Sequence, residues 1–189
     1  MPLLVDPVVP SGTWGSLPQP TIAGEGLLLR PWEPTDAVVL ENAYADAAIQ
    51  QWHARSLTLD EARQWIQGCA RSWSDESAAD WAVTVDDGVA GRVGFRSVNL
   101  EEGRAEAAYW TAPHFRGCGM SARALRALTD WATTTGGLCR LDLEHALANQ
   151  ASCRVALRCG YLAEGTATKS VLHADGWHDM HRHGYTSAA

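Results

Sequence analysis

The stretch YWTAPHFRGCGMS, residues 109–121, decides how the rest of the chain is read. Residues 106–111, EAAYWT, read as a strand, and Pro113 ends it. Residues 121–135 then carry Ala124, Leu125, Leu128, Trp131 and Ala132 at i, i+3, i+4, i+7 spacing, the apolar stripe of a helix that Gly136-Gly137 stops. Between strand and helix lies Arg116-Gly117-Cys118-Gly119. Glycines there let successive backbone N–H groups turn toward one point, and the helix N-terminus adds about half a positive charge. Arg116 contributes a guanidinium fork that matches phosphate oxygens. The turn is an anion cradle. It is not a Walker loop, because no Gly-Lys-Ser/Thr follows, and it lacks a complete GxGxxG.

A second strand–loop–helix unit follows. Residues 138–145 read as a strand, and NQASCRVALRCGY, residues 149–161, as a helix with Asn149 at its N-cap and Gly160 at its C-cap. Together the two units resemble the GNAT superfamily of acyl-CoA-dependent N-acyltransferases, most of all the subgroup of ribosomal-protein serine/alanine N-terminal acetyltransferases. Asn149, Ser152, Val155-Ala156, Gly160 and the aromatic Tyr161 fill every fixed position of that subgroup's helix pattern. The likeness runs from Leu28-Leu-Arg-Pro-Trp32 to Gly176-Trp-His-Asp179, or roughly residues 26–185.

The resemblance implies a bound acyl-CoA between two splayed parallel strands, 106–111 and 138–145. Pantetheine would bond backbone groups at Trp110 and Ala112, with Asn149 and Ser152 beside it. The pyrophosphate would rest on the amides of Gly117, Cys118, Gly119, Met120 and Ser121, flanked by Arg116. Arg123, one turn further along the helix, is either a second phosphate contact or a solvated helix arginine. The acyl group passes directly from thioester to amine. Acetyl is the simplest donor; a longer group such as succinyl stays open. No metal is required.

That reaction needs a neutral amine, an oxyanion donor and relief for the departing thiolate. A lysine amine has a pKa of about 10.4 and an α-amine of about 7.7–8.0. The family places a backbone donor near Trp110 for the oxyanion. Glu106, within Ala105-Glu-Ala-Ala-Tyr-Trp110, is the leading general base, with His145 as the alternative acting through water. Many family members carry a tyrosine four residues before the helix-ending glycine. Here that position is Ala156; the resemblance to the subgroup implies that the helix serine, Ser152, lies near the sulfur. The acceptor cleft is expected from Trp32, Trp52, His53 and Trp177, with Trp73 and His178 beside them. His173, His178, His181 and His183 raise the question of a metal; the sequence shows no second clustered cysteine or carboxylate set, so none is expected.

The remaining elements complete one α+β domain: a mixed central sheet of about seven strands with two splayed parallel strands, flanked by about four helices. A strand is expected at 27–30, a helix from a Thr35-Asp36 cap to Ala47, and another opened by the capping box Thr58–Glu61. Strands at 80–85 and 89–98 flank a turn at Asp87-Gly88, and strands at 163–172 and 178–185 flank Asp175-Gly176. Residues 1–22, with five of the chain's prolines, form an irregular arm that straps the domain or reaches a neighbouring subunit of a homodimer; 23–189 form the domain.

Composition agrees. With 189 residues, 46% hydrophobic and 20% charged, the chain is sized for one globular domain and has no span of about 18 apolar residues to cross a membrane. Net charge is −7, which disfavours a phosphate-backbone partner and a ribosome-docked enzyme and favours a cationic or amine partner. The five cysteines form no even disulfide set, and the N-terminus lacks a basic n-region, so a reducing cytoplasm is expected. The acceptor is expected to be an amine-bearing small molecule, including a polycation of the antibiotic kind, or a protein N-terminus. From another class comes a catalytically silent CoA-binding regulatory module. A nucleotide-binding domain built on the RGCG turn fits less well, because the elements do not alternate as in a doubly wound sheet.

Overall fold

The computed structural model describes residues 4–187, so the first three residues of the arm and the last two of the chain lie outside it. Eight strands form one sheet: β1 (Ile22–Gly24), β2 (Leu27–Pro31), β3 (Ala79–Val85), β4 (Gly88–Asn99), β5 (Arg104–Thr111), β6 (Arg140–Ala146), β7 (Leu162–His173) and β8 (Gly176–Thr186). Their spatial order is β1-β2-β3-β4-β5-β6-β8-β7. Every neighbouring pair is antiparallel except β5 and β6. The helices are α1 (Ala37–Ala45), α2 (Ala47–His53), α3 (Leu59–Ser74), α4 (Met120–Thr134) and α5 (Gln150–Arg158).

Three departures from the expected elements have local causes. One helix was expected from 37 to 47, but Asp46 is extended at φ −72°, ψ 124° and caps a separate α2 by accepting from the Ile49 amide. Strand β1 is three residues long, too short to show a period. The first hairpin turns on Asp86 and Asp87, at φ 47° and 64°, rather than on Asp87-Gly88, so Gly88 already pairs with Val85. The Thr58–Glu61 capping box forms as read: the Glu61 amide donates to Thr58 Oγ1 and the Thr58 amide to Glu61 Oε2.

Apolar residues bury both faces of the sheet. Leu125, Leu128, Leu141, Leu143, Phe95 and Tyr161 pack beneath α4 and α5, while Trp32, Leu40, Tyr44, Ile49, Ile66 and Trp110 pack beneath α1 to α3. Residues 4–21 strap onto the domain. Val8 and Val9 donate to the Glu101 and Leu100 carbonyls, and Trp14 stacks on Trp73 at 5.4 Å. The Glu76 carboxylate gathers the amides of Gly12, Trp14 and Gly15. Most tryptophans are thus packing residues, and Trp73 belongs to this cluster rather than to a cleft.

The feature that positions the site is the end of the parallel pairing. Strands β5 and β6 pair only from Arg104↔Arg140 to Ala107↔Leu143, although β5 runs on to Thr111 and β6 to Ala146. Beyond Ala107 the two strands open into a gap.

Candidate active site

Backbone alternation decides which groups face the gap. The Ala112 amide donates to the Ala90 carbonyl of β4 and the Ala112 carbonyl accepts from Phe115, so neither is free for a ligand. In an antiparallel ladder hydrogen-bonded pairs alternate, so Trp110 and Ala108 bond toward β4 as Ala112 does, while Tyr109 and Thr111 turn their backbone groups toward β6. The expected contacts at Trp110 and Ala112 are therefore displaced by one residue. The Trp110 side chain is core, packed against Trp32 and Tyr44.

The cradle stands at the upper end of the gap. Gly117 and Gly119 lie at φ 81° and 71°, the left-handed conformation that favours glycine, and this leads into the N-terminus of α4 at Met120. Cys118 is exposed between them. Ser121 Oγ is 2.6 Å from Thr111 Oγ1, tying the helix start to the strand end. Arg116 Nη2 bonds Asp46 Oδ1 of α2 at 2.6 Å, and that guanidinium holds the Asp46 carboxyl below its usual range. Arg123 reaches away, donating to the Glu25 carbonyl at 2.8 Å, and braces the β1–β2 turn.

At the lower end, Asn149 Oδ1 accepts from the Ser152 amide at 3.0 Å as the cap of α5. Ser152 Oγ lies 2.7 Å from the phenolic oxygen of Tyr109. Burial pushes the Tyr109 phenol up, so it remains a neutral donor. A tyrosine hydroxyl thus does sit beside Ser152, from the α5-facing side of β5 rather than from residue 156 of the helix.

One cavity of about 770 Å³ joins these groups to the α2 side. Tyr109, Asn149 and Ser152 line it together with Trp52, His53, Trp65, Glu144 and His173. Its floor is the Arg92–Asp80 ion pair, 2.6 Å apart and almost fully buried. Burial, with Arg92 and Arg55 adding to it, lowers the pKa of His53 to about 4, so that ring is neutral near pH 7. Of the expected cleft residues, Trp52 and His53 are here. Trp32 is buried against Trp65, and Trp177 is 60% exposed outside the cavity.

The two expected bases are placed differently from expectation. Glu106 is ion-paired with Arg96 and lines a second cavity with Arg104, Asp142 and Arg182. Its neighbour on the wall of the main cavity is Glu144, held by Arg182 at 2.7 Å and by Arg96 at 3.7 Å. Strand parity puts Glu144, a residue that the sequence motifs do not single out, on the same face of the sheet as Glu106. His145 lines the main cavity, but its Nδ1 lies 2.8 Å from the Ala146 carbonyl and its Nε2 points at His183 Nε2, 3.1 Å away, so neither nitrogen is turned toward an amine.

The acetyltransferase (GNAT) domain family matches residues 26–162. The chain is 29% identical over 108 residues to YdaF, a candidate ribosomal N-acetyltransferase of Bacillus subtilis (strain 168), the match covering 57% of this chain and 58% of that protein. It is 26% identical over 121 residues to the ribosomal-protein-serine acetyltransferase of Escherichia coli (strain K12), covering 64% and 68%. Among solved structures, RimL, a ribosomal L7/L12 α-N-protein acetyltransferase in complex with coenzyme A, superposes with a TM-score of 0.83 at 22% identity over 88% of this chain and 98% of that one. The microcin C7 self-immunity acetyltransferase MccE, with acetyl-CoA and AMP, gives 0.79 at 20% identity over 86% and 93%. At these identities the superpositions show a shared fold.

Proposed function

The chain belongs to the GNAT acetyltransferase family, and from that premise we propose that it transfers an acetyl group from acetyl-CoA directly to a primary α-amine. The observation that carries this reading is the shared cavity: Tyr109 and Ser152 from the cofactor end and His53 and Glu144 from the acceptor end line one space of about 770 Å³ at the β5–β6 gap.

The gap separates two faces of the sheet, and the proposed reaction uses both. Pyrophosphate rests on the amides from Gly117 to Ser121, with Arg116 turning from Asp46 to the phosphate. Pantetheine pairs with the gap-facing backbone of Tyr109 and Thr111, beside Asn149. The thioester then crosses the gap, and the Tyr109 N–H is the donor to its oxyanion. The amine enters from the α2 face and attacks the carbonyl carbon. Its proton goes to Glu144, directly or through a water. The C–S bond breaks toward α5, where Ser152, itself held by Tyr109, donates to the thiolate. Glu106 holds Arg96 in place.

The cavity's charges favour a particular acceptor. Arg55, Arg92 and Arg96 line it against Asp80 and Glu144, which is a poor lining for a polycation. A peptide or protein N-terminus is the acceptor these charges suit, in keeping with the names of the relatives, and its α-amine is partly neutral near pH 7.5. Donor binding is measured by calorimetry with acetyl-CoA and the acceptor by mass spectrometry of a panel: peptides with free N-termini, the same peptides blocked, and polyamines. Acetylation of the free peptides alone supports the proposal. Acetylation of polyamines alone would replace the acceptor class, and binding without turnover would make the chain a silent CoA module.

A further inference from the structure

Three imidazoles and one thiol converge where β6, β8 and α5 meet. His145 of β6 and His181 of β8 are register partners, His183 is the next residue on that face of β8, and Cys153 faces them from α5. One donor atom from each lies within 4.8 Å of all the others. His145 and His183 are buried, while His181 and Cys153 are half-buried and leave a route from solvent. The sequence shows His181 and His183 with no thiol nearby; the fold brings Cys153 to them.

The hydrogen bonds of the two buried rings leave one conflict. His145 Nδ1 lies 2.8 Å from the Ala146 carbonyl, and His183 Nδ1 lies 3.3 Å from the Tyr161 carbonyl. A carbonyl only accepts, so each Nδ1 carries the ring proton. With both rings neutral and both Nδ1 protons on the carbonyls, the two Nε2 atoms, 3.1 Å apart, are left without a hydrogen between them. Moving either proton to Nε2 only transfers the conflict to a carbonyl. A cation shared by the two nitrogens, a second ring proton or a metal ion, removes it, and the metal is the one that also uses His181 and Cys153. A backbone carbonyl holding Nδ1–H is also how proteins aim Nε2 at a metal. Cys153 Sγ, 3.9 Å from His181 Nδ1, completes a set of four.

We propose that His145, Cys153, His181 and His183 form a structural zinc site. Tetrahedral zinc, with bonds of about 2.0–2.3 Å, spaces its donors by about 3.3–3.6 Å, so around the ion the longer separations contract and the 3.1 Å Nε2 pair opens slightly. One thiolate with three imidazoles suits zinc and excludes magnesium and calcium, which take oxygen ligands. Four protein ligands leave no open position, so the ion takes no part in acyl transfer. It would pin α5 to β6 and β8 one residue past Ser152, fixing that hydroxyl against Tyr109. The inference stands on these contacts alone and does not depend on the proposed activity.

The test is a titration of chelator-treated protein with Co²⁺ and then Zn²⁺. One equivalent of Co²⁺ should produce a thiolate-to-cobalt charge-transfer band and the intense visible bands of a tetrahedral site, both bleached by Zn²⁺, and Zn²⁺ should raise Tm. Cys153→Ser should lose the charge-transfer band, and His181→Ala, a half-buried position that tolerates truncation, should weaken Co²⁺ binding by at least tenfold. His178→Ala, in the separate His173–Asp175–His178 group, should change nothing. Absence of the charge-transfer band in the parent chain, its persistence in Cys153→Ser, or loss of binding in His178→Ala would each overturn the assignment.

Discussion

The Tyr109 hydroxyl lies 2.7 Å from Ser152 Oγ, joining β5 to α5 across the mouth of the splayed strands. The phenol has one hydrogen and the serine one; when the phenol donates to Oγ, the serine hydrogen is left to point at the sulfur. Tyr109→Phe should lower kcat by roughly tenfold and cost about 1 kcal/mol of stability, the value of one buried hydrogen bond. Acetyl-CoA affinity should hold. If the two hydroxyls act as one unit, the double variant with Ser152→Ala should be no slower than Ser152→Ala alone. Multiplying losses in a double-mutant cycle would show that they act separately.

Arg116 and Asp46 predict opposite effects on donor affinity. Arg116→Ala removes a charge-assisted phosphate contact worth about 1.5–3 kcal/mol and should weaken CoA binding by roughly 10- to 150-fold. Asp46→Asn frees Arg116 and keeps an amide oxygen to cap α2, so it should tighten binding by up to about fivefold, the scale of an exposed ion pair. Calorimetry at fixed salt reads both, and a weaker Asp46→Asn would show that the pair helps hold the cradle open.

The two acceptor-face carboxylates can be separated by pH profiles. Glu144→Gln should lower kcat/KM by roughly 10- to 100-fold with a peptide α-amine and more with a lysine amine, because the more basic amine depends more on a proton acceptor. Glu106→Gln, which loosens Arg96 only, should cost less than about fivefold and keep the shape of the profile. The reverse ranking would return the base role to Glu106.

Acid should destabilise the fold in a defined window. The unfolded His53 ring takes up a proton near pH 6.5, whereas burial keeps the folded ring neutral down to about pH 4. The unfolded state therefore binds more protons between these values, and stability rises with pH across the window. The neutral ring's contribution is complete above pH 6.5 and is lost as pH falls toward 4, about 3 kcal/mol in all. Denaturant unfolding from pH 7 to 4 should show this slope, flattened in His53→Gln. Activity above pH 6 should show no limb from His53.

What could be read from the sequence was local. Gly117 and Gly119 before an apolar helix, Asn149 before Ser152 and Thr58 before Glu61 each settle a turn or cap within a few residues, and each forms as read. Facing directions across the sheet were not local. Trp110 and Tyr109 differ by one residue, and only the ladder with β4 shows that Tyr109 faces the gap. Glu106 and Glu144 share a face, and only the folded sheet shows that Glu144 reaches the main cavity while Glu106 does not. Trp32 and Trp52 look alike in sequence, but neighbours far along the chain bury one and leave the other in the cavity wall. The Cys153–His181 approach joins residues 28 apart, from helix to strand.

Direct acetyl transfer in a ternary complex is tested by initial rates of thiol release, with acetyl-CoA and a free-N-terminal peptide both varied. Sequential transfer predicts intersecting double-reciprocal lines, release that requires the free α-amine, and one acetyl group on the peptide per thiol released. Parallel lines, with acetyl trapped on a chain residue such as the exposed Cys118, would contradict it; so would thiol release at the same rate with a blocked peptide.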